Sequence, residues 1–232
     1  MGDPDLVRDV RSMIVVFDLD GTLVDSVGDI AASANELVTS LGGRRLDLAE
    51  ISLMVGDGAG TLVKRALSEG GVDPETPGAL TRFLEIYDRR LLNTTTVYPG
   101  LRETLTHLAR RARMAVLTNK PQHHSERVLA GLGLLDFFER VIGGDGPFGK
   151  KPDAAGMLAL VQNMPPSGTL LVGDSPIDFE TACASGSAFA WARYGFGAAR
   201  FGSLPPDTPY VLDVPADLPA IVDHLSSIFS GA

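Results

Sequence analysis

Residues 13–22 of the chain read MIVVFDLDGT, an apolar run that leads directly into two carboxylates. A run this short and β-branched is typical of a buried strand in a parallel sheet. Ligands of open α/β sheets bind at the carboxyl ends of the strands, which is where Asp18 and Asp20 fall. Because like charges this close repel unless a cation or a shared proton offsets them, the pair predicts a site for Mg²⁺, which takes carboxylate oxygen. An Asx turn that simply ends the strand is the alternative.

Three further polar segments follow apolar runs in the same way. Thr118 and Asn119 follow the second run, and Asp174 follows the fourth. Lys151 follows the third run across a glycine-rich loop. Taken singly, Thr118 and Asp174 could be helix N-caps and Lys151 a solvated loop charge. Since parallel strands end at one edge of a sheet, the four segments together predict one shared site.

The apolar runs alternate with helical patterns, which predicts an α/β fold with a parallel sheet. A crossover between parallel strands needs only about a dozen residues, yet residues 18–113 separate the first two runs. Apolar residues at helical spacing predict an inserted α-helical cap over 27–96, which leaves 1–26 and 97–232 as the α/β core. The predicted strands are Met13–Phe17, Met114–Thr118, Val141–Gly143, Thr169–Val172, Ala188–Ala192 and Tyr210–Leu212.

The composition limits the classes of partner. The chain has 232 residues, of which 44% are hydrophobic, and a formal net charge of −9. This charge argues against a nucleic-acid partner, but a metal and one lysine can still make a pocket attractive to a small phosphorylated metabolite. No apolar stretch approaches the roughly 20 residues that span a bilayer, and the acidic N-terminus is unlike a signal peptide. The single cysteine, Cys183, is expected to be buried on a helix, and together these features predict a cytoplasmic protein.

Four motifs lie at these segments: FDLDGTLVDS (17–26), LTNK (117–120), KPD (151–153) and VGDSPIDFETA (172–182). With them the chain resembles the haloacid dehalogenase superfamily of phosphotransferases, and within it the phosphoglycolate phosphatase group. The resemblance begins near Ile14 and covers nearly the whole chain. It implies a Rossmann-like parallel sheet core flanked by helices, with an inserted α-helical cap domain. The chain departs from the family where Ala154 and Ala155 stand, because a second proline often follows the Lys-Pro pair there.

The resemblance implies a role for each residue of the predicted site. Asp18 is the nucleophile that forms an aspartyl-phosphate, and Asp20 protonates the leaving alcohol and then activates the hydrolytic water. Thr118 donates its hydroxyl to a phosphoryl oxygen with help from the Asn119 backbone, and Lys151 offsets the charge that develops on the phosphoryl group. The residues implied to bind the phosphoryl group are Leu19, Thr118, Asn119 and Lys151.

The same resemblance implies a Mg²⁺ site and a loop that selects the substrate. Asp174 binds the ion together with Asp18 and the backbone carbonyl of Asp20, and Asp178, one helical turn on, orients the metal's surroundings. In the cap, a glycine-rich loop faces the active site, although an ordinary turn between helices would have the same sequence. The residues of this loop are Gly56, Asp57 and Gly58.

The predicted function is a Mg²⁺-dependent phosphatase that acts on a small phosphomonoester, with 2-phosphoglycolate as the first choice on the resemblance. Asp20 favours phosphoryl transfer over dehalogenation, because a carbon–halogen bond offers no oxygen to protonate. A sugar-phosphate mutase, a pyrophosphatase and a nucleotidase of the same superfamily stay open. Two alternatives come from other classes. One is a receiver-like phospho-acceptor module, and the other is a P-loop over residues 144–150, which lacks the Ser or Thr that should follow Lys150.

Overall fold

In a computed structural model of the chain, residues 13–162, 164–201 and 210–230 are described, and they form a six-stranded parallel sheet with helices on both faces. Residues 1–12, on which the expectation about a signal peptide rests, lie outside these ranges. None of the helices in these ranges combines the length and the apolar character that a membrane crossing requires. The strands are, in chain order, β1 (Ile14–Phe17), β2 (Val24–Asp25), β3 (Thr96–Val97), β4 (Arg113–Leu117), β5 (Arg140–Ile142), β6 (Thr169–Gly173), β7 (Ala188–Ala192) and β8 (Tyr210–Leu212). Over the same residues the α-helices are α1 (Val27–Ser40), α2 (Leu48–Ser52), α3 (Ala59–Glu69), α4 (Ala79–Arg90), α5 (Leu101–Leu108), α6 (Gln122–Gly131), α7 (Ala155–Val161), α8 (Pro176–Ser185) and α9 (Leu218–Ser230).

β1 lies inside the sheet, whose strand order is β5-β4-β1-β6-β7-β8. Phe17, the last residue of β1, is level with Val116 of β4 and with Val172 of β6. The residues that follow these three strands therefore reach the same edge of the sheet. Because β4 and β6 flank β1 on opposite sides, a crevice opens at this switch point. The expected α/β fold is confirmed, and every predicted strand is present to within one residue at each end.

Both faces of the sheet are covered, which explains why the run in β1 is apolar throughout. Val15 and Phe17 belong to the apolar core that includes side chains of α5, α6 and α9. Ile14 and Val16 point the other way, into the core formed with α7 and α8. Successive side chains of a strand point to opposite faces, so a strand that is covered on both sides needs an apolar residue at every position.

Residues 27–96, which we call the helical insert, contain α1 to α4; they begin after β2 and end at the first residue of β3. The sequence did not predict these two short strands. They pair antiparallel, with Val24 opposite Val97, and bring the two ends of the insert together. Apolar side chains of the insert continue the core that begins at Phe17. The insert is therefore packed directly onto the carboxyl side of the sheet.

The position of Cys183 corrects one expectation. The cysteine does lie on a helix, α8, but its side chain is exposed rather than buried. α8 turns Thr181 and Ala182 inwards, and the next position along the helix faces solvent.

Candidate active site

Asp18, at the carboxyl end of β1, is in direct contact with Lys151. The lysine Nζ lies 2.7 Å from Asp18 Oδ1 and donates to Asp178 Oδ1 at 2.6 Å, and all three side chains are buried. Burial alone would lower the pKa of Lys151, but the charges of Asp178 and Asp18 raise it above its ordinary value. Lys151 is therefore a fixed positive charge between two carboxylates.

Asp178 is held in place by the start of α8. Its Oδ2 accepts hydrogen bonds from the backbone N of Ser175 at 3.0 Å and from the Ser175 hydroxyl at 2.7 Å, at the residue that precedes the helix. Its other oxygen is left for Lys151. A Cβ atom on Gly173 would lie 2.3 Å from Asp178 Cβ, so this close approach requires glycine at the end of β6.

Asp174, at the same edge of the sheet, is surrounded by glycines. Its Oδ2 accepts a hydrogen bond from the backbone N of Gly197 at 2.7 Å. A Cβ atom on Gly21 would lie 1.9 Å from this oxygen, and one on Gly195 would lie 2.6 Å from it. The surrounding backbone therefore leaves no room for a side chain at these positions, and it holds the carboxylate tightly.

The carboxylates of Asp18, Asp174 and Asp178 could together hold a metal ion. Each offers one oxygen, and these oxygens lie within 4.8 Å of one another. Burial raises the pKa of Asp18 to about 6, even though Lys151 opposes the shift. Burial, with the negative charges of Asp178 and Asp18, also raises the pKa of Asp174 well above its usual range. Three carboxylates against one lysine leave an excess of negative charge, and a hard cation such as Mg²⁺ fits an all-oxygen donor set of this kind.

Asp20 is bound by Lys120, to which the sequence analysis gave no role beyond its place in the LTNK motif. Lys120 Nζ lies 3.0 Å from each of the two carboxylate oxygens, and the Ser26 hydroxyl donates to Oδ1 at 2.6 Å. The same Nζ donates to the Tyr87 hydroxyl at 2.5 Å, and it lies 4.5 Å from the centre of the tyrosine ring. Lys120 thus connects Asp20 with α4 of the helical insert.

Asn119 ties three segments together through its side-chain amide. Its Nδ2 donates to the carbonyl of Lys151 at 3.0 Å and to the carbonyl of Gly56 at 2.9 Å, and its Oδ1 accepts from the backbone N of Lys151 at 2.8 Å. Thr118 is buried beside it. The sequence predicted only a backbone contact for Asn119, so this side-chain role was missed.

A cavity of about 50 Å³ lies between the sheet edge and the helical insert. Its polar wall includes Asp18, Asp20, Thr118, Asn119 and Lys120. Its remaining wall is mostly apolar and comes largely from the insert. The residues of that wall include Val55, Leu62, Phe83 and Leu84.

The glycine-rich loop of the insert only partly faces this cavity. Gly56 and Gly58 line it, both at positive φ, whereas Asp57 pairs with Arg65 and with Arg200. Arg200 belongs to a short 3₁₀ helix that follows β7, and nothing in the sequence singled it out.

The other predicted residues are placed as follows. The side chain of Leu19 is fully buried, and its carbonyl accepts hydrogen bonds from the backbone of the turn that follows. Lys150 is exposed, unlike Lys151. α7 begins only at Ala155, so residues 144–150 do not lead directly into a helix as a P-loop does.

Comparison with known proteins gives a consistent result. The family model for haloacid dehalogenase-like hydrolases matches residues 15–192. A phosphoglycolate phosphatase of Cereibacter sphaeroides (strain ATCC 17025 / ATH 2.4.3) is 38% identical over 195 residues, which cover 82% of this chain and 89% of that protein. A phosphoglycolate phosphatase of Pseudomonas putida is 36% identical over 224 residues, which cover 93% and 82%. A crystal structure described as a predicted phosphoglycolate phosphatase of Haemophilus somnus 129PT superposes with a TM-score of 0.81 at 28% identity, over 91% of this chain and 98% of that one.

Proposed function

The chain belongs to the haloacid dehalogenase-like hydrolase family, and from that membership we propose that it is a phosphoric monoester hydrolase that uses Mg²⁺ and an aspartyl-phosphate intermediate. The proposed substrate is a small phosphomonoester, with 2-phosphoglycolate first, because relatives at 36% and 38% identity are named phosphoglycolate phosphatases. The observation that carries the proposal is that Asp18, Asp20 and Thr118 line one cavity at the switch point of the sheet.

The first step transfers the phosphoryl group to Asp18. One carboxylate oxygen of Asp18 attacks phosphorus, and the bond between phosphorus and the ester oxygen breaks. Asp20 gives a proton to that ester oxygen, so the product leaves as an alcohol. In the second step Asp20 takes a proton from a water molecule, whose oxygen attacks phosphorus. Asp18 then leaves as a free carboxylate with release of inorganic phosphate.

The remaining residues of the site bind and orient the phosphoryl group. Lys151, the Thr118 hydroxyl and the backbone N–H groups of Leu19 and Asn119 contact its oxygens, which lowers the cost of charge that develops there. Asp178 keeps the Lys151 ammonium directed at the site.

Mg²⁺ would be held by Asp18, Asp174 and the backbone carbonyl of Asp20, and it would reduce the repulsion between Asp18 and the anionic substrate. The carboxylates named here supply the hard oxygen ligands that this ion takes.

The helical insert, residues 27–96, is proposed to act as a cap domain over the core formed by 1–26 and 97–232. Two contacts support this assignment. Asn119 of the core donates to the carbonyl of Gly56, and Arg200 of the core pairs with Asp57. A cap in this position excludes water from the cavity until a phosphoryl group is bound.

A screen of phosphorylated metabolites with Mg²⁺ tests the function. We expect steady turnover of small phosphomonoesters, and both Asp18→Asn and Asp20→Asn should lower it by at least ~10³-fold, the scale at which a catalytic residue acts. Asp136→Asn is the matched control, because this exposed aspartate lies in the short turn before β5. Turnover beyond one equivalent excludes a phospho-acceptor module. Near-normal activity of Asp18→Asn would overturn the nucleophile assignment.

A further inference from the structure

We infer that Lys120 determines substrate specificity by binding a carboxylate that lies two bonds from the ester oxygen of the substrate. The inference rests on the proposed function, because it assigns the part of the substrate that is not the phosphoryl group. It adds a second recognition point to the cavity, formed by Lys120 together with Tyr87.

Lys120 is a buried cation in the wall of the cavity. Its exposed fraction is 6%, and among the described residues that line the cavity it is the only lysine or arginine. Of the other positive charges near the site, Lys150 is exposed and does not line the cavity, and two more already have partners. Lys151 is held by Asp18 and Asp178, and Arg200 is held by Asp57. An anionic group that enters the cavity beyond the phosphoryl site therefore meets Lys120.

Tyr87 fixes the position of the Lys120 ammonium independently of Asp20. The lysine donates to the Tyr87 hydroxyl, and the ammonium lies over the tyrosine ring. Burial raises the pKa of Tyr87 to about 12, so the hydroxyl stays neutral. A cation held on one side by a neutral hydroxyl and a ring face has its other side available for an anion.

Asp20 occupies that side of Lys120 in this structure. Both of its carboxylate oxygens lie 3.0 Å from the Nζ. In the proposed reaction Asp20 must turn towards the ester oxygen, and Lys120 would then be a buried cation without an anion, which is costly. A substrate carboxylate that replaces Asp20 on Lys120 removes this cost, and a substrate without one cannot.

The distances favour a carboxylate close to the ester oxygen. Asp20 reaches the ester oxygen through one hydrogen bond of about 2.7–3.0 Å, and it lies 3.0 Å from Lys120. In a 2-phosphoglycolate-like substrate the carboxyl carbon is two covalent bonds, or about 2.4 Å, from the ester oxygen. A carboxylate at that point is within reach of Lys120 while Asp20 contacts the ester oxygen. The single positive charge of Lys120 balances the single negative charge of a carboxylate. A second phosphoryl group at this point would leave excess negative charge among apolar side chains.

A matched pair of substrates tests the inference. We compare kcat/KM for 2-phosphoglycolate and for phosphoglycolamide, in which an uncharged amide replaces the carboxylate. The wild-type kcat/KM should be about 100-fold higher for 2-phosphoglycolate, because a binding site that pairs with one group of its substrate discriminates against an analogue that lacks this group. Lys120→Met should reduce this ratio to within about threefold of unity, with most of the loss in KM for 2-phosphoglycolate.

Two further variants separate recognition from other roles. Lys64→Met removes an exposed lysine that pairs with Glu75, and the ratio should stay at the wild-type value. Lys120→Arg keeps the charge and should restore part of the preference. If Lys120→Met lowers kcat/KM for both substrates by the same factor, Lys120 acts only by positioning Asp20, and the inference is wrong.

If Lys120→Met does not fold, the wild-type protein and the Tyr87→Phe variant still test the inference. Tyr87→Phe removes the hydroxyl that holds the ammonium and should lower the substrate ratio several-fold. Equal wild-type kcat/KM for both substrates would overturn the inference and leave the proposed phosphatase intact. Absence of turnover on every phosphomonoester tried would instead overturn the proposed function, and this inference with it.

Discussion

The side chain of Asn119 is joined to the backbone of Lys151 by two hydrogen bonds, one in each direction. The amide donates to the Lys151 carbonyl at 3.0 Å, and its oxygen accepts from the Lys151 N–H at 2.8 Å. The loop after β4 thereby sets the position of the loop after β5. Since the Lys151 ammonium contacts Asp18, the geometry around the proposed nucleophile depends on an amide that does not touch it.

Asn119→Asp should therefore weaken catalysis without removing a group that contacts the reacting atoms. The carboxylate can still accept from the Lys151 N–H, but it faces the carbonyls of Lys151 and Gly56 with no proton to donate. We expect kcat/KM to fall by about 10- to 100-fold, the effect of losing hydrogen bonds at a buried position. Steady-state kinetics on the best substrate measures it.

Asn35 offers a matched control inside the helical insert. It makes the same reciprocal pair of hydrogen bonds with Leu46, at 2.9 and 2.8 Å. Asn35→Asp should cost a comparable free energy of unfolding but change kcat/KM by less than about threefold. An equal loss of activity in both variants would mean that Asn119 contributes only stability.

Gly21→Ala should disrupt metal binding through Asp174. The new Cβ would lie 1.9 Å from Asp174 Oδ2, and Gly21 is at φ +91°, where a side chain is strained. We expect the Mg²⁺ concentration that gives half-maximal activity to rise at least about tenfold. Gly71→Ala is the control, because Gly71 has a similar φ of +80° but open space around it. If both variants show the same Mg²⁺ dependence, backbone strain alone explains the effect.

Removal of divalent metal should abolish activity, because the acidic cluster needs a cation. We expect EDTA to lower the rate by more than about 100-fold and added Mg²⁺ to restore it. Mg²⁺ should also raise the Tm of the wild-type protein, since a ligand that binds only the folded state stabilises it. Asp174→Asn should lose that increase, whereas Asp213→Asn, which alters an exposed pair with Arg193, should keep it. Undiminished hydrolysis after chelation would contradict the metal assignment.

The sequence predicted those parts of the site that follow strands directly. Asp18 and Asp174 each follow an apolar strand, and parallel strands must end at one edge, so local sequence was enough to place them. Lys120 could not be recognised in this way. Its partner Asp20 is 100 residues distant in the sequence, and Tyr87 lies on a helix of the insert. A lysine next to a strand end reads as solvated until the tertiary contacts that bury it are known.

Arg200 was missed for a related reason. It contacts the loop of the insert at Val55 and Asp57, more than 140 residues away in the sequence. The orientation of an insert relative to its core is set by packing and not by a local pattern, so contacts between them cannot be derived from periodicity. Cys183 shows the same limit on a smaller scale, since helical spacing placed it on α8 but the direction it faces depends on how α8 packs.

Asp29 is a buried carboxylate at the base of the helical insert, and it has no role in the proposed reaction. Its exposed fraction is 1%. It accepts hydrogen bonds from the backbone N–H and the hydroxyl of both Thr94 and Thr95, at 2.8–3.1 Å. Burial alone would raise the pKa of Asp29, but these hydrogen bonds lower it below its ordinary value of 3.8. Through these hydrogen bonds, the carboxylate connects the start of α1 to Thr94 and Thr95, in the segment that leads back to the core.

Asp29→Asn should lower the free energy of unfolding by about 2 kcal/mol at pH 7, because an amide cannot accept from all of these donors. The pKa of Asp29 is lower in the folded state, so its stabilisation is complete above the ordinary value and is lost as the pH falls through the folded value. The difference in urea-induced unfolding between wild type and variant should therefore stay constant from pH 8 to pH 5, on the order of that 2 kcal/mol, and shrink below about pH 4. Asp73→Asn, at an exposed turn where Asp73 accepts from the Glu75 N–H, should change stability by less than about 0.5 kcal/mol. A difference that instead grows as the pH falls would mean that Asp29 is protonated in the folded protein.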